Sequence, residues 1–300
     1  MTAARTARAP VILPFVAVCL VWGSTWIVIR DQLAVVPPSW SVAYRFAIAG
    51  AAMLGWAAWR GERLRLDAQG FALAAVLGLM QFMLNFNLVY RAEQHITSGV
   101  VAVVYALLLV PNAVLARVFL GQRIGARFAA GSAIALAGVA LLFVHEARLA
   151  EAGPREALTG IGIALAGVMC ASVANVMQAA ERMRHQPPAA ILGWAMLAGA
   201  GADAIWALAT AGPPVFEPRA GYVAGLLYLG VIGSAFTFSL YFGLIRAIGP
   251  GPAAYTGAVI PVIAMAISTL AEGYRWSALA AGGAVLVIAG LALALAARQR

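Results

Sequence analysis

The heptapeptide YALLLVP occupies residues 105–111, and a related heptapeptide, YTGAVIP, occupies residues 255–261. Each places a tyrosine six residues ahead of a proline inside a strongly apolar stretch, and the two lie 150 residues apart in a chain of 300. Because the spacing is half the chain, the pair predicts an internal duplication.

Further matched residues keep this spacing. Chance can explain one pair in an alanine-rich apolar sequence, but several pairs in one register indicate duplication. The matches at 150 or 152 residues are Pro37 and Pro38 with Pro187 and Pro188, Gln122 with Glu272, Gly131 with Gly283, and Gly138 with Gly290. We therefore divide the chain into a first repeat, residues 1–149, and a second repeat, residues 150–300.

The composition indicates a membrane protein. Hydrophobic residues make up 63% of the chain and charged residues 10%, whereas soluble domains are about 45–50% apolar and about 25% charged. One crossing of a bilayer needs about 20 apolar helical residues, with every backbone amide bonded inside the helix. The segments that meet this requirement are 11–29, 39–59, 70–90, 97–119, 124–144, 158–180, 188–210, 221–245, 250–271 and 276–297. The predicted fold class is an all-α membrane protein with ten transmembrane helices.

The arginines predict the orientation of these helices. The net charge of +9 comes from scattered single arginines, which favours a topological role over nucleic-acid binding. With the N-terminus inside, thirteen arginines are cytoplasmic and six are outside, so both termini are predicted to be cytoplasmic. We interpret the first apolar run as a retained helix and not as a signal peptide. Since five helices per repeat is an odd number, the repeats are inverted, which predicts a binding site near the midplane between them.

Polar side chains recur inside the apolar segments at helical spacing. Gln81 and Asn85 are four residues apart and share one helix face. Amides at this depth cost free energy unless they are bonded, so they either line a polar cavity or join two helices. The stripes on helices one, three, six and eight together predict a central cavity lined by Trp22, Gln81, Asn85, Asn175, Gln178, Ser234, Thr237 and Tyr241.

The tyrosine and proline motif adds a second element to this site. Tyr105 and Asn112 share a face of helix four, and Pro111 frees a backbone carbonyl one turn earlier. Such a carbonyl can accept a hydrogen bond from an ammonium or hydroxyl group, while the ring offers an apolar platform. Tyr255 and Pro261 would do the same from helix nine. The alternative is that both prolines only shape the helices for packing.

Few charges lie inside the predicted helices. Arg45 can snorkel, pair with a carbonyl or line the pathway, and its depth favours a structural role. Asp203 lies towards the outer end of helix seven, where a packing or interface role is favoured. With no acid near the centre of helices one, three, four, six, eight or nine, we expect no buried carboxylate for proton coupling, and hence facilitated efflux or exchange. A phosphate-binding loop for ATP hydrolysis is absent from the sequence.

The motifs resemble those of a known family. WGSTW in the first helix, the pair Arg45-Phe46, YALLLVPNAVLARVFLGQRI and YTGAVIPVIAMAISTLAEGYRW are similar to the EamA-type drug/metabolite transporters. Within that superfamily the chain looks most like the YddG-type bacterial exporters, which implies export of aromatic and other amino acids. Val110 stands where that group has an aromatic residue before the proline. This departure argues against an aromatic-only substrate range.

Several alternatives remain open at this stage. Within the transporter class, one alternative substrate is a drug-like cation or hydrophobic metabolite. A lipid-linked or nucleotide sugar is another. An intramembrane enzyme is poorly supported, because H-E-x-x-H is absent and neither cysteine has metal-site spacing, and a scaffold would lack a central cavity. We expect no cofactor and no nucleic-acid partner, a bacterial inner-membrane location among lipids, and either a monomer or a homodimer.

Overall fold

A computed structural model describes residues 9–121, 125–149, 154–179, 181–248 and 256–298, and all regular structure in these ranges is helical. The elements in chain order are α1 Ala9–Gln32, α2 Pro38–Trp59, α3 Ala68–Leu77, π1 Gly78–Leu84, α4 Asn85–Ala92, α5 Ser98–Ala106, α6 Leu109–Leu120, α7 Ala126–Leu149, α8 Pro154–Ala179, α9 Glu181–Arg184, α10 Pro188–Ala211, α11 Ala220–Leu227, π2 Tyr228–Phe236, α12 Thr237–Ile248, α13 Thr256–Ala271 and α14 Ala278–Arg298. The prediction of an all-helical chain is confirmed for the residues described.

Six helical stretches in the described ranges are long and apolar enough to cross a membrane: Val11–Gln32, Ala68–Ala92, Ser98–Phe119, Pro154–Gln178, Pro188–Ala211 and Ala220–Tyr241. Shorter apolar helices are Ala126–Leu142, Val259–Ala271 and Ala278–Ala294. A stretch of this length and hydropathy can satisfy all of its backbone hydrogen bonds within the lipid core. The prediction of a helical membrane protein is thereby confirmed in its coarser form.

Within the described residues, three of the predicted helices are not regular α-helices throughout. The π-helical elements π1 and π2 continue α3 and α11, and they begin 150 residues apart at Gly78 and Tyr228. The helix that carries the tyrosine and proline motif is interrupted at Leu107–Leu108, between α5 and α6. Pro111 has no N–H to continue the α-helical bonding, which accounts for a break one turn before it.

Among the elements that the structure describes, two antiparallel helix pairs, α2 with α10 and α7 with α14, form the most extensive contacts. Glycines lie at the contacts of both pairs. A Cβ atom added to Gly138 would lie 2.6 Å from the Gly283 carbonyl oxygen, and one added to Gly131 would lie 2.5 Å from the Gly290 carbonyl oxygen. Both distances are too short for a side chain, so these glycines allow the backbones of α7 and α14 to touch.

The remaining long helices enclose the centre of the molecule. In this group α13 packs against α1 and α5, and α12 also packs against α1. Helix α8 packs against α4 and α6. The helix pair α2 and α10 joins the group through contacts of α2 with π2 and of α10 with π1. The π-helical elements therefore lie between a tightly packed pair and the central group, where a local change of helical period reorients side chains.

Candidate functional site

A cavity of about 200 Å³ lies between the central helices. Its wall is built from α1, α2, π1, α4, α5, α6, α8, α12, α13 and α14, so both halves of the sequence contribute to it. The polar and aromatic residues of the wall are Trp22, Thr25, Trp26, Arg45, Gln81, Asn85, Phe86, Tyr105, Asn112, Asn175, Phe238, Tyr241 and Thr256.

Aromatic rings in mutual contact form two parts of this wall. The ring of Trp22 lies 5.2 Å from that of Phe238 and 5.0 Å from that of Tyr241, and its Nε1 donates a hydrogen bond to the Gly233 carbonyl at 3.1 Å. On the other part, the rings of Trp26 and Tyr105 are 5.4 Å apart. Tilted and edge-on ring pairs at these separations are favourable and hold each ring in place. The wall therefore offers rigid apolar surfaces to a ligand.

Tyr105 is held by a hydrogen bond to the neighbouring helix. Its hydroxyl donates to Asn85 Oδ1 at 2.8 Å, and Asn85 Nδ2 donates to the Gln81 carbonyl at 3.3 Å. Helix α8 passes close to the hydroxyl at Gly167, where an added Cβ would collide with the Tyr105 oxygen. The tyrosine thus reaches its partner because α8 presents a glycine at this level.

Arg45 is the charged residue of the cavity wall. Only 1% of its surface is exposed, its Nε donates to Ser234 Oγ at 3.1 Å, and its Cζ lies 4.4 Å from the centre of the Phe86 ring. The Nη1 atom has no hydrogen-bond partner among the described residues. A buried guanidinium that lacks a partner for one of its nitrogens is costly, so this atom is suited to receive a ligand's acceptor.

Three further cavity residues have a buried polar atom without a partner in the described part of the chain. They are the donor Trp26 Nε1 and the acceptors Gln81 Oε1 and Asn112 Oδ1. Nearly all buried polar groups in proteins are paired, and each exception requires an explanation. A ligand that accepts hydrogen bonds from Arg45 and Trp26 and donates hydrogen bonds to the Gln81 and Asn112 oxygens would explain why these atoms lack partners.

The structure brings eight of the residues predicted for the cavity to its wall: Trp22, Gln81, Asn85, Tyr105, Asn112, Asn175, Tyr241 and Pro261. Pro111, Gln178, Ser234 and Thr237 lie outside this lining. Tyr255 falls outside the described residues. Arg45, for which depth favoured a structural role and lining of the pathway was an alternative, lies at the cavity wall.

The π-helical element π2 explains the positions of Ser234 and Thr237. Their spacing from Tyr241 predicted one stripe on an α-helix, but residues 228–236 follow the longer π period. Thr237 Oγ1 donates to the Ile232 carbonyl at 2.6 Å, five residues back, and Ser234 accepts from Arg45. Ser234 therefore holds the Arg45 side chain by a hydrogen bond without lining the cavity itself.

Pro111 and Gln178 also differ from expectation. The carbonyl that Pro111 would leave free, that of Leu107, accepts the Val110 N–H at 2.8 Å in the turn between α5 and α6. The helix break therefore supplies that acceptor with a partner of its own. Gln178 lies near the C-terminal end of α8, beyond Asn175, which reaches the cavity.

The sequence predicted no buried carboxylate that could couple transport to protons, yet the structure buries a glutamate at the end of the third predicted helix. Glu93 is 0% exposed, and neither of its side-chain oxygens has a hydrogen-bond partner among the described residues. The sequence placed this residue in a loop, but its backbone N–H continues α4 by donating to the Val89 carbonyl at 3.1 Å. The signal was its spacing, because Asn85, Val89 and Glu93 recur every four residues and so share a helix face.

Glu93 belongs to a polar group, which we call the Glu93–Glu272 cluster, of Arg30, Glu93, Ser98, Ser268 and Glu272. Arg30 donates to the Glu93 carbonyl and places its Nε 3.9 Å from Glu272 Oε1, while both serine hydroxyls donate to Glu272. Glu93 directly follows the Ala68–Ala92 span. Burial raises the pKa of its carboxyl well above the usual range, Glu272 raises it further, and Arg30 and Arg45 lower it.

A second buried carboxylate, Asp203, lies away from the cavity. It accepts a hydrogen bond from Asn87 Nδ2, and Asn87 Oδ1 in turn accepts from Ser39 Oγ at 2.6 Å. This network joins α2, α4 and α10. The arrangement agrees with the packing role predicted for Asp203 and not with a place on the cavity wall.

Comparison with known proteins identifies the family. The sequence profile of the EamA-like transporter family matches residues 9–144 and again residues 158–296. The chain belongs to the EamA-like transporter family. As a member of a transporter family, it is a membrane transporter of small molecules, and the family is not one of enzymes. Together with its apolar helices, this membership makes the chain a multi-pass inner-membrane protein.

Individual relatives agree with this membership. The chain is similar to PagO of Salmonella typhimurium, with 22% identity over 95% of this chain and 92% of that protein. It is also similar to YedA of Escherichia coli, an inner membrane transporter. The two are 28% identical over 84% of this chain and 80% of YedA. A solved crystal structure with 21% identity superposes with a TM-score of 0.68 and covers 97% of this chain and 99% of the other, which shows a shared fold.

Proposed function

We propose that this EamA-family transporter exports amino acids, both aromatic and other neutral or amphipathic ones, through the cavity by alternating access. The observation that carries the proposal is the buried guanidinium of Arg45, whose Nη1 lacks a partner among the described residues at the wall of a small aromatic cavity. A carboxylate is the group that best satisfies a guanidinium.

The rest of the wall fits the remaining parts of an amino acid. The side-chain oxygens of Gln81 and Asn112 can accept hydrogen bonds from an ammonium group, which has three donors. The rings of Trp22, Trp26 and Tyr105 provide apolar surface for a substrate side chain. A neutral zwitterion with a modest apolar side chain would use all three kinds of contact.

The alternatives fit this wall less well. A drug-like cation would find aromatic rings, but it has no acceptor for the Arg45 Nη1 donor, which has no partner in the described part of the chain. A nucleotide sugar carries two phosphates and a large body, whereas the cavity measures about 200 Å³ and its described wall carries one arginine. Pockets that bind drug-sized ligands measure roughly 300–1,000 Å³.

We further propose ten membrane crossings, made by two inverted five-helix repeats, residues 1–149 and 150–300, with both termini in the cytoplasm. The double match of the family profile supports two repeats. So do Pro38 and Pro188, which begin α2 and α10, and the two π-helical elements that begin 150 residues apart. Alternating access would then be a movement of the repeats around the cavity between them.

The test is efflux from liposomes that contain the purified protein. Radiolabelled phenylalanine, threonine and a drug-like cation are loaded separately, and release is compared with that from protein-free liposomes. We expect faster release of both amino acids and no acceleration for the cation. Equal leakage of the amino acids from both preparations contradicts the proposal, and accelerated release of the cation alone favours the drug-export alternative.

A further inference from the structure

We propose that Glu93 is a proton-binding site and that this transporter moves one proton together with each amino acid, in the same direction. The proposal rests on the proposed function, because it takes the substrate's carboxylate to bind at Arg45. It adds a second transported species to the same site. The starting point is a carboxylate that is 0% exposed and has no hydrogen-bond partner for either oxygen among the described residues.

The position of Glu93 connects it to the cavity wall. It lies one turn beyond Val89, which lines the cavity from the same face of α4. It interacts electrostatically with two cavity residues from other helices, Arg45 on α2 and Tyr105 on α5. A proton on this carboxyl therefore changes the electrostatic potential at the residues that face the substrate.

Charged and titratable groups from several elements surround Glu93. The charged ones are Arg30 on α1, Arg45 on α2 and Glu272 at the end of α13, and the neutral tyrosines are Tyr90 on its own helix and Tyr105 on α5. Helix α8 also packs against α4, but its Glu156 is engaged by His95 Nδ1 at 2.5 Å. Among the charged groups, two guanidiniums thus face two carboxylates.

This charge balance gives the coupling. In the empty protein, the guanidiniums of Arg30 and Arg45 offset the carboxylates of Glu93 and Glu272. A substrate carboxylate at Arg45 Nη1 adds a third negative charge near Glu93, and like charges at close range favour protonation of one of them. Glu272 keeps the donated hydrogen bonds of Ser98 and Ser268, which favour its charged form. Glu93 has no such bonds in the described structure.

The proton follows the substrate through the cycle. Water on the side to which the cavity is open supplies a proton to a Glu93 side-chain oxygen as the amino acid binds, and the same proton returns to water on the other side when the amino acid leaves. No other bond forms or breaks. Export is then driven by the sum of the amino-acid gradient and the proton gradient, and each exported molecule carries a proton with it.

The sign of the pH dependence follows from this linkage. Substrate and proton each raise the affinity for the other by the same factor. Amino-acid affinity is therefore highest below the Glu93 pKa of the empty protein and falls as the pH rises through that pKa. We expect the decrease from below to above that pKa to lie towards the upper end of the typical range of about 5- to 150-fold, because one-to-one coupling requires Glu93 to be charged in the empty protein and protonated in the loaded protein.

The variant that tests the assignment is Glu93→Gln, with Asp203→Asn as its matched control. Both changes neutralise a buried carboxylate, but only Glu93 faces Arg45. We expect E93Q protein to bind phenylalanine with an affinity that does not change with pH and that equals the affinity of the unchanged protein with Glu93 protonated. Asp203→Asn should keep the full pH dependence. A pH dependence that is lost in D203N protein and kept in E93Q protein overturns the assignment.

Proton movement is measured on the unchanged protein, so the test does not depend on whether a variant folds. Weakly buffered liposomes are loaded with phenylalanine and a trapped pH-sensitive dye, and efflux is started by dilution. We expect the interior to become more alkaline as phenylalanine leaves, at one proton per molecule, and an acidic interior to accelerate efflux. Efflux without proton movement overturns the coupling and leaves amino-acid export intact, whereas no efflux at all overturns both proposals.

Discussion

Tyr105 shows how far a single residue can be interpreted from sequence. Its repeat partner and its spacing from Asn112 predicted a place in a central cavity, and the structure puts both residues on the cavity wall. Its hydrogen bond to Asn85 could not be predicted, because it depends on the approach of α4 to α5 and on the absence of a side chain at Gly167. Local spacing selects the face of a helix, whereas partners are set by tertiary packing.

Removal of the Tyr105 hydroxyl tests this contact. In Tyr105→Phe protein, Asn85 Oδ1 loses its donor, and the loss of one such bond is worth about 1 kcal/mol. We expect the KM for amino-acid efflux to rise about fivefold, because Tyr105 and Asn85 no longer hold each other in place at the cavity wall, and the free energy of unfolding to fall by about 1 kcal/mol.

Tyr222→Phe is the matched control for that variant. The Tyr222 hydroxyl is also buried and hydrogen-bonded, to Ser41 Oγ at 3.0 Å, but it lies outside the cavity lining. Its removal should leave the KM unchanged. Equal effects of the two substitutions would mean that Tyr105 acts through general stability and not at the site.

At the scale of elements, the glycine matches were informative and the helical period was misleading. Gly131 and Gly138 were matched to Gly283 and Gly290 from sequence, and these four glycines allow α7 and α14 to touch. By contrast, Ser234 and Thr237 fell outside the wall because π2 breaks the α-helical period on which their stripe was based. Glu93 was missed because the burial of a residue at a helix end depends on what packs over it.

Two adjacent glycines of α14 provide a test of the helix contact. A Cβ on Gly283 would lie 2.8 Å from the Gly138 carbonyl oxygen, whereas a Cβ on Gly282 would meet nothing within 4 Å. We expect Gly283→Ala to lower the free energy of unfolding by about 1–3 kcal/mol, as overpacking does. Gly282→Ala should be neutral or slightly stabilising in the same thermal-unfolding assay in detergent. Equal unfolding temperatures for the two variants would contradict close contact at Gly283.

At the scale of the whole molecule, the proposed inverted repeats make a prediction about topology. Five crossings per repeat place the end of the first repeat on the opposite side of the membrane from the end of the second. A reporter fused after residue 149 should therefore be outside the cytoplasm, and the same reporter fused after residue 300 should be inside it. Active cytoplasmic reporters at both positions would contradict an odd number of crossings between them.

The whole-molecule account depends on one claim, that the Arg45 guanidinium binds the carboxylate of the transported amino acid. Arg45 was noticed from sequence as an intramembrane charge, but its lack of a partner for Nη1 in the described part of the chain became visible only in the folded structure. A charged residue inside a membrane protein is usually paired or faces a pathway. Here the unpaired atom belongs to a residue of the cavity wall.

The measurement that tests this claim most directly compares phenylalanine with phenylalaninamide, which lacks the carboxylate, as competitors of radiolabelled phenylalanine exchange in liposomes. The unchanged protein should prefer phenylalanine by at least about tenfold, as expected for a hydrogen-bonded charge pair worth about 1.5–3 kcal/mol. In Arg45→Gln protein this preference should disappear, and because it is a ratio it does not depend on how much protein is active. An unchanged preference in R45Q protein, or no preference in the unchanged protein, would contradict the account.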